Sequence, residues 1–174
     1  LGLRVVLGAW IDGNAVTNQA QLDKALGLSR DYADVIDLLV VGNEVLLRGE
    51  LPAAELANLL ARARRESAVP VAYADVWEFW LRHADALRPH VDVVAAHVLP
   101  YWEDEPVAIK QAVLHVAAVN AKIRAFFAPL PVFIAETGWP AAGRQRGAAV
   151  PGKLEQARFI RELLARQDGT LHYN

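Results

Sequence analysis

Five short apolar runs, at residues 3–9, 35–41, 69–74, 91–97 and 132–135, constrain this chain more than any other feature. Each is near-continuous in Val, Leu, Ile and Ala instead of alternating with polar residues. That is the pattern of parallel strands covered on both faces. Helical patterns separate them, at 17–33, 52–67, 76–87, 106–127 and 151–167. The first has Leu22, Leu26 and Tyr32 on or near one face, with a break expected near Gly27. The second carries Pro52 in its first turn and Leu56, Leu59, Leu60 and Ala63 at helical spacing. The third is closed by Pro89. The fourth has an apolar stripe of Ile109, Val113, Val116, Ile123 and Phe127. The fifth carries Leu154, Ala157, Ile160 and Leu164, with Gly169 as a cap past its end.

A repeated strand–helix unit leaves two usual architectures, an open doubly wound sheet and a (β/α)₈ barrel. Open sheets that bind nucleotides carry a glycine-rich first turn, and neither G-x-G-x-x-G nor G-x-x-x-x-G-K-[ST] occurs. Barrels gather function at the carboxyl ends of many strands. The unusual residues fall there: Trp10 and Asp12, Asn43 and Glu44, Asp75 and Trp77, His97 and Tyr101, Glu136 and Trp139. The expected fold class is therefore α/β, a parallel (βα) repeat forming part of a TIM barrel. The chain lacks methionine, begins at Leu1 and ends at His172-Tyr173-Asn174, where a new strand is expected to start. The expectation is a single partial domain over 1–174, cut at both ends.

Composition removes several function classes. The 174 residues are 54% hydrophobic and 22% charged, with a net charge of −2, which describes a folded chain with no electrostatic case for nucleic acid or an anionic membrane. Arg62, Arg64 and Arg65 beside Glu66 read as a solvated helix face. No cysteine is present, so disulfide and thiolate chemistry drop out. No apolar run reaches the roughly 18–20 residues a membrane span needs. His83, His90, His97, His115 and His172 show no metal-ligand pairing, and Ser29 and Ser67 lie in no nucleophile elbow. Neither a metal nor a cofactor is expected.

What remains is a pair of carboxylates. Val40-Val41-Gly42-Asn43-Glu44 and Ile134-Ala135-Glu136 are apolar runs that each end in a glutamate and break. One such glutamate is well explained as a cap or an ion-pair partner. Two at the same end of two parallel strands suggest the acid and nucleophile of a glycosidase. Trp10, Trp77, Tyr101, Trp102 and Trp139 follow strands, where their rings could stack on the C–H faces of sugars or simply cover helix ends. Phe79 and Trp80, further into a helical pattern, read as core.

At these residues the chain resembles glycoside hydrolase family 17, the β-1,3-glucanases and glucanosyltransferases of the retaining (β/α)₈ clan A. Val41-Gly42-Asn43-Glu44-Val45 is similar to the family's fourth-strand motif, and Glu136-Thr137-Gly138-Trp139-Pro140 to its seventh-strand motif. His97-Val98-Leu99-Pro100-Tyr101-Trp102 falls where the family has an Asn-x-Tyr-Pro-Tyr-aromatic segment. His97 in place of Asn, and the segment 74–77, look more like a bacterial branch. The match runs from the family's third strand to the helix after its seventh, so five of eight βα units are expected.

The resemblance implies that Glu44 is the acid/base and Glu136 the nucleophile of a double displacement on β-1,3-glucan, ending in hydrolysis or transfer. On this mechanism Asn43 is expected on the sugar 2-hydroxyl, Tyr101 on the nucleophile or the sugar, Trp139 as a subsite floor, and Asp75 as a partner for Glu44 and one of the substrate contacts. His97, Trp77, Trp10 and Trp102 complete the expected substrate contacts. A retaining pair should stand about 5–5.5 Å apart, an inverting pair about 6.5–9.5 Å. The expected partner is a β-glucan oligo- or polysaccharide. The alternative is a glucan-binding scaffold fragment without a working site; a β-1,4-specific relative in the same clan is a third reading. An extracytoplasmic or membrane-associated setting is expected for the full-length protein.

Overall fold

The computed structural model describes residues 2–166. Five parallel strands alternate with helices, and the strands lie in chain order in one sheet, as a partial TIM-barrel-like α/β fold. They are β1 (Val5–Ala9), β2 (Ile36–Asn43), β3 (Val71–Val76), β4 (Val93–His97) and β5 (Val132–Glu136). The helices are α1 (Ala15–Asp31), α2 (Ala53–Glu66), α3 (Trp77–Arg82), α4 (Ala84–Leu87), α5 (Ile109–Phe127) and α6 (Lys153–Ala165). All five expected strands are present, within two residues at each start. Leu1, Gln167, the Gly169 cap and the last three residues of the sequence lie outside the described residues. The chain divides into two compact units, Leu1–Ala95 with Pro129–Pro131, and Ala96–Ala128 with Val132–Asn174.

In the first unit β2 runs parallel between β1 and β3, pairing Val6 with Leu38, Ala9 with Val41 and Leu39 with Val71. Leu39, Val41, Val71 and Tyr73 are fully enclosed, as expected of a strand layer covered on both faces. Asn14 caps α1 by accepting hydrogen bonds from the amides of Val16 and Thr17. The helix then continues through Gly27 without the expected break. A mid-helix glycine costs about 1 kcal/mol against alanine, and the burial of Leu22, Ala25, Leu26 and Ser29 on that helix offsets it. Tyr32 is exposed at the carboxyl end of α1, not on the buried face. α2 buries Leu56, Leu60 and Ala63 at i, i+4 and i+7. Its arginines do more than face solvent: Arg62 pairs with Asp23, and Arg64 with Asp92.

After β3 the expected single helix is split. His83 leaves helical geometry (φ −114°, ψ 19°) and separates α3 from α4, and a 3₁₀ turn at Arg88–His90 follows. Trp80 is the anchor, wholly enclosed with its Nε1 donating to the carbonyl of Ala95 at 3.0 Å. Phe79, by contrast, is half-buried and stacks near His83.

In the second unit Val98 donates to the carbonyl of Glu136 at 2.9 Å, joining the ends of β4 and β5. α5 buries Val113, Val116, Ile123 and Phe127 as expected, together with Ala112, Val119 and Asn120. α6 departs from expectation. Phe159 and Leu163 are its buried residues, whereas Leu154 (82% exposed), Ile160 and Leu164 face outward. Two apolar rows run along this helix, and periodicity does not say which one the protein's own core takes. Phe159, stacked near Trp139 with centroids 6.3 Å apart, settles it.

Phe159→Ala should therefore cost about 3–5 kcal/mol of stability as a large-to-small core change. Leu154→Ala should stay within about 0.5 kcal/mol. Urea unfolding of both variants tests the assignment; equal losses would contradict it.

Candidate functional site

Each unit carries a cluster at the carboxyl ends of its strands. In the first unit β2 ends in Asn43, and Glu44 follows with φ +53°, the single non-glycine residue with positive φ among the described residues. Left-handed backbone costs an L-residue roughly 1–2 kcal/mol. Gly42 before it has φ +83°, and a Cβ there would stand 2.8 Å from Val45 Cγ2, so only glycine fits. The turn is held by its own hydrogen bonds. The Glu44 amide donates to the carbonyl of Ala74 at 2.8 Å, and its carbonyl accepts from the Arg48 amide at 2.9 Å. The Arg48 guanidinium donates to the carbonyls of Asn43 and, at 3.1 Å, Ile11. It also pairs with Glu50 at 2.6 Å and lies 4.5 Å from the centre of the Trp10 ring. The hydrogen bond to Glu50 leads the effects that raise the Arg48 pKa, so the cation persists at any working pH.

Trp10 is 50% exposed. It borders a cavity of about 260 Å³ lined by Gly8, Ala9, Trp10, Val40, Gly42 and Asn43. Trp77 opens α3 and is half-buried. Asp75 departs from the expected substrate contact. It is 0% exposed, and its carboxylate accepts from the Tyr73 hydroxyl, the Val76 amide at 2.7 Å and the Leu46 amide at 3.3 Å. Its acceptor positions are taken by the protein itself. Burial pushes the Asp75 carboxyl above its ordinary range, against the pull of these donors, and pushes the Tyr73 phenol far upward, so that it stays a neutral donor.

In the second unit His97 is buried at the end of β4, with Nδ1 3.7 Å from Oε2 of the exposed Glu136. Trp102, on the loop after β4, is 45% exposed. Two other expected sugar contacts are turned inward. Tyr101 is buried and its hydroxyl donates to the carbonyl of Arg144. Trp139 is 2% exposed, with Nε1 donating to the carbonyl of Val150 at 3.0 Å and its ring 5.6 Å from that of Tyr101. Both rings join the loop after β4 to the loop after β5. Arg146 adds to this from the second loop, donating to the carbonyls of Tyr101 (3.0 Å), Trp102 (3.0 Å) and Glu103 (3.1 Å). From α5, His115 Nε2 meets the buried Glu103 at 2.7 Å, and Glu103 accepts from the Leu99 amide at 3.1 Å.

Tyr73, Arg48, Glu103, His115 and Arg146 were not among the expected site residues. Tyr73 was findable, since strand residues two apart share a face and Asp75 already marked that face. Arg146 had no local signal; its partners lie more than 40 residues away.

The BtgE/BtgC glycoside hydrolase domain model matches residues 1–173. The chain belongs to the BtgE/BtgC glycoside hydrolase family. It is 28% identical over 168 residues to a probable beta-glucosidase btgE of Emericella nidulans, and 29% identical over 168 residues to that of Aspergillus terreus. These alignments take in 94% and 93% of this chain but 30% of either relative. The glycoside hydrolase family 17 β-1,3-glucanosyltransferase of Rhizomucor miehei is 27% identical, with TM-scores of 0.84 and, for an active-site mutant in complex with laminaritriose, 0.85. It covers 99% of this chain and is itself covered over 65%. Two fungal β-1,4-galactanases share the fold at 13% identity and a TM-score of 0.63. These relatives of the family member are fungal, so the bacterial-branch expectation drawn from His97 and 74–77 finds no support among them. No helix among the described residues is long and apolar enough to cross a membrane.

Arg146→Ala removes charge-assisted bonds to three carbonyls. We expect a loss of about 1.5–3 kcal/mol, the range of hydrogen bonds to charged groups. Faster amide exchange confined to residues 98–103 and 143–150 in hydrogen-exchange mass spectrometry would show the site of that loss. Unchanged exchange there would refute the clamp.

Proposed function

We propose that this domain is the catalytic part of a retaining enzyme acting on β-1,3-glucan, with Glu44 as acid/base and Glu136 as nucleophile. The observation that carries the proposal is the placement of Gly42-Asn43-Glu44 and Glu136-Thr137-Gly138-Trp139-Pro140 at strand ends. Similarity over 99% of the chain to a β-1,3-glucanosyltransferase supports it.

In the first step the Glu44 carboxylic acid gives its proton to the glycosidic oxygen while the Glu136 carboxylate attacks the anomeric carbon. The glycosidic C–O bond breaks, the leaving sugar departs as an alcohol, and a glycosyl ester of Glu136 forms. In the second step the Glu44 carboxylate takes a proton from water or from an acceptor hydroxyl, whose oxygen attacks the same carbon and releases Glu136. Two inversions leave the configuration unchanged. Asn43 serves the sugar 2-hydroxyl, where a contact strengthens as positive charge develops. Trp10 and Trp102, the two most exposed rings of the set, are the stacking surfaces.

The relatives' names support both outcomes of the second step, since a glucosidase passes the sugar to water and a glucanosyltransferase to another sugar. Laminari-oligosaccharides incubated with the purified protein distinguish them: shorter products mean hydrolysis and longer ones transfer. Binding without products would favour the scaffold alternative.

Glu136→Ala should lower activity on the order of 10³-fold or more, about 4 kcal/mol of barrier. Azide should restore turnover and give a glycosyl azide of inverted configuration, because the anion attacks from the vacated face. Full activity without azide would sink the nucleophile assignment.

A further inference from the structure

We propose that Asp75 and Tyr73 are positioning residues for the acid/base function of Glu44, acting through the backbone that follows it and never through the sugar. The inference rests on the acid/base reading of Glu44 and deepens it. Asp75 and Tyr73 project from the same face of β3, side by side and fully enclosed. The Tyr73 hydroxyl donates to Asp75 Oδ2 and accepts from the Leu46 amide at 3.1 Å. Asp75 Oδ2 takes the same amide at 3.3 Å, and Oδ1 takes the Val76 amide at 2.7 Å. Leu46 is two residues past Glu44, on the far side of a left-handed residue.

Without these two acceptors the Leu46 amide would be a buried donor left unpaired. With it held, the Val45–Leu46 peptide, one residue beyond Glu44, has a fixed direction. The Ala74 carbonyl fixes the Glu44 amide from the same strand β3. β3 therefore holds the Glu44 amide itself and the amide two residues further on. A general acid works only within hydrogen-bond reach of the leaving oxygen, and a misplacement near 1 Å can cost on the order of 10²-fold. Asp75 has to accept hydrogen bonds to do this, which its amide isostere does at one oxygen only.

The test uses the dependence of rate on leaving group. Departure of a sugar alcohol needs the proton from Glu44, and departure of 2,4-dinitrophenolate does not. For each variant kcat/KM is measured on laminaripentaose and on 2,4-dinitrophenyl β-laminaribioside. Asp75→Asn should lower the first by about 10–100-fold, within the range general acids contribute, and the second by less than about 3-fold. Tyr73→Phe, which removes only the hydroxyl, should give a smaller split of the same sign. It decides the matter if Asp75→Asn does not fold. Equal losses on both substrates in these variants would mark a merely structural role and overturn the inference, as would no loss on either. Glu44→Gln is the control. If it shows the split while Asp75→Asn and Tyr73→Phe do not, only the inference falls. If Glu44→Gln itself lowers both substrates equally, the acid/base reading fails and the inference with it.

Discussion

The first unit depends on a left-handed turn at Glu44 that the chain would not adopt unaided. A glutamate with φ +53° next to a glycine with φ +83° is backbone strain of a few kcal/mol at most, and it persists only where the surroundings over-determine it. They do so by satisfying the turn's polar groups in order. The Asn43 carbonyl is taken by the Arg48 side chain, the Glu44 amide by Ala74, the Val45 carbonyl by the Glu50 amide and the Leu46 amide by Tyr73 and Asp75. Removing any one leaves a backbone group of the turn without its partner. Arg48 ties the same turn to the β1 end through the Ile11 carbonyl and the Trp10 ring, so the local fold of three strand ends is one hydrogen-bonded object.

Much of the fold and part of the site were legible in the sequence, for reasons tied to particular residues. Buried parallel strands are near-continuous apolar runs, so β1 to β5 could be placed without knowing what covers them. A glutamate closing such a run breaks its apolar pattern, which is why Glu44 and Glu136 stood out. Exposure was harder. Leu154, Ile160 and Leu164 satisfy helical spacing as well as Phe159 and Leu163 do, and the choice was made by Trp139, which lies on another element. Asp75, Tyr101 and Trp139 occupy the strand ends where contacts to sugar were expected, yet their polar atoms bond to the protein. Sequence position placed them at strand ends; it could not say which way their hydrogen bonds run.

The second unit solves a different problem. Its two loops, 98–108 and 137–152, are longer than the two to six residues usual for a βα connection. Such loops expose many carbonyls that no strand or helix pairs. A guanidinium has five donors in a fixed fork, and Arg146 spends them on three consecutive carbonyls of the opposite loop. Glu103 works in the reverse sense, its carboxylate accepting from the Leu99 amide while His115 holds the other oxygen. One cation and one anion thus hold residues 99–103 of a long loop, which leaves Trp102 exposed on backbone that is held.

Asp75 has an energetic side that favours function over stability as the reason for its presence. Burial lifts its carboxyl above the ordinary range, so folding binds a proton more readily than the unfolded chain does there. The sign follows: the stability linked to this group is greatest at pH below the ordinary carboxylate value and is lost as pH rises through the elevated folded value. Enclosing a carboxyl group costs desolvation, and a well-packed apolar side chain in its place is commonly neutral or better. A strand selected only to fill core space has no use for that cost. A strand that must hold the Leu46 amide and keep Glu44 aimed has one, because an apolar side chain accepts no hydrogen bond.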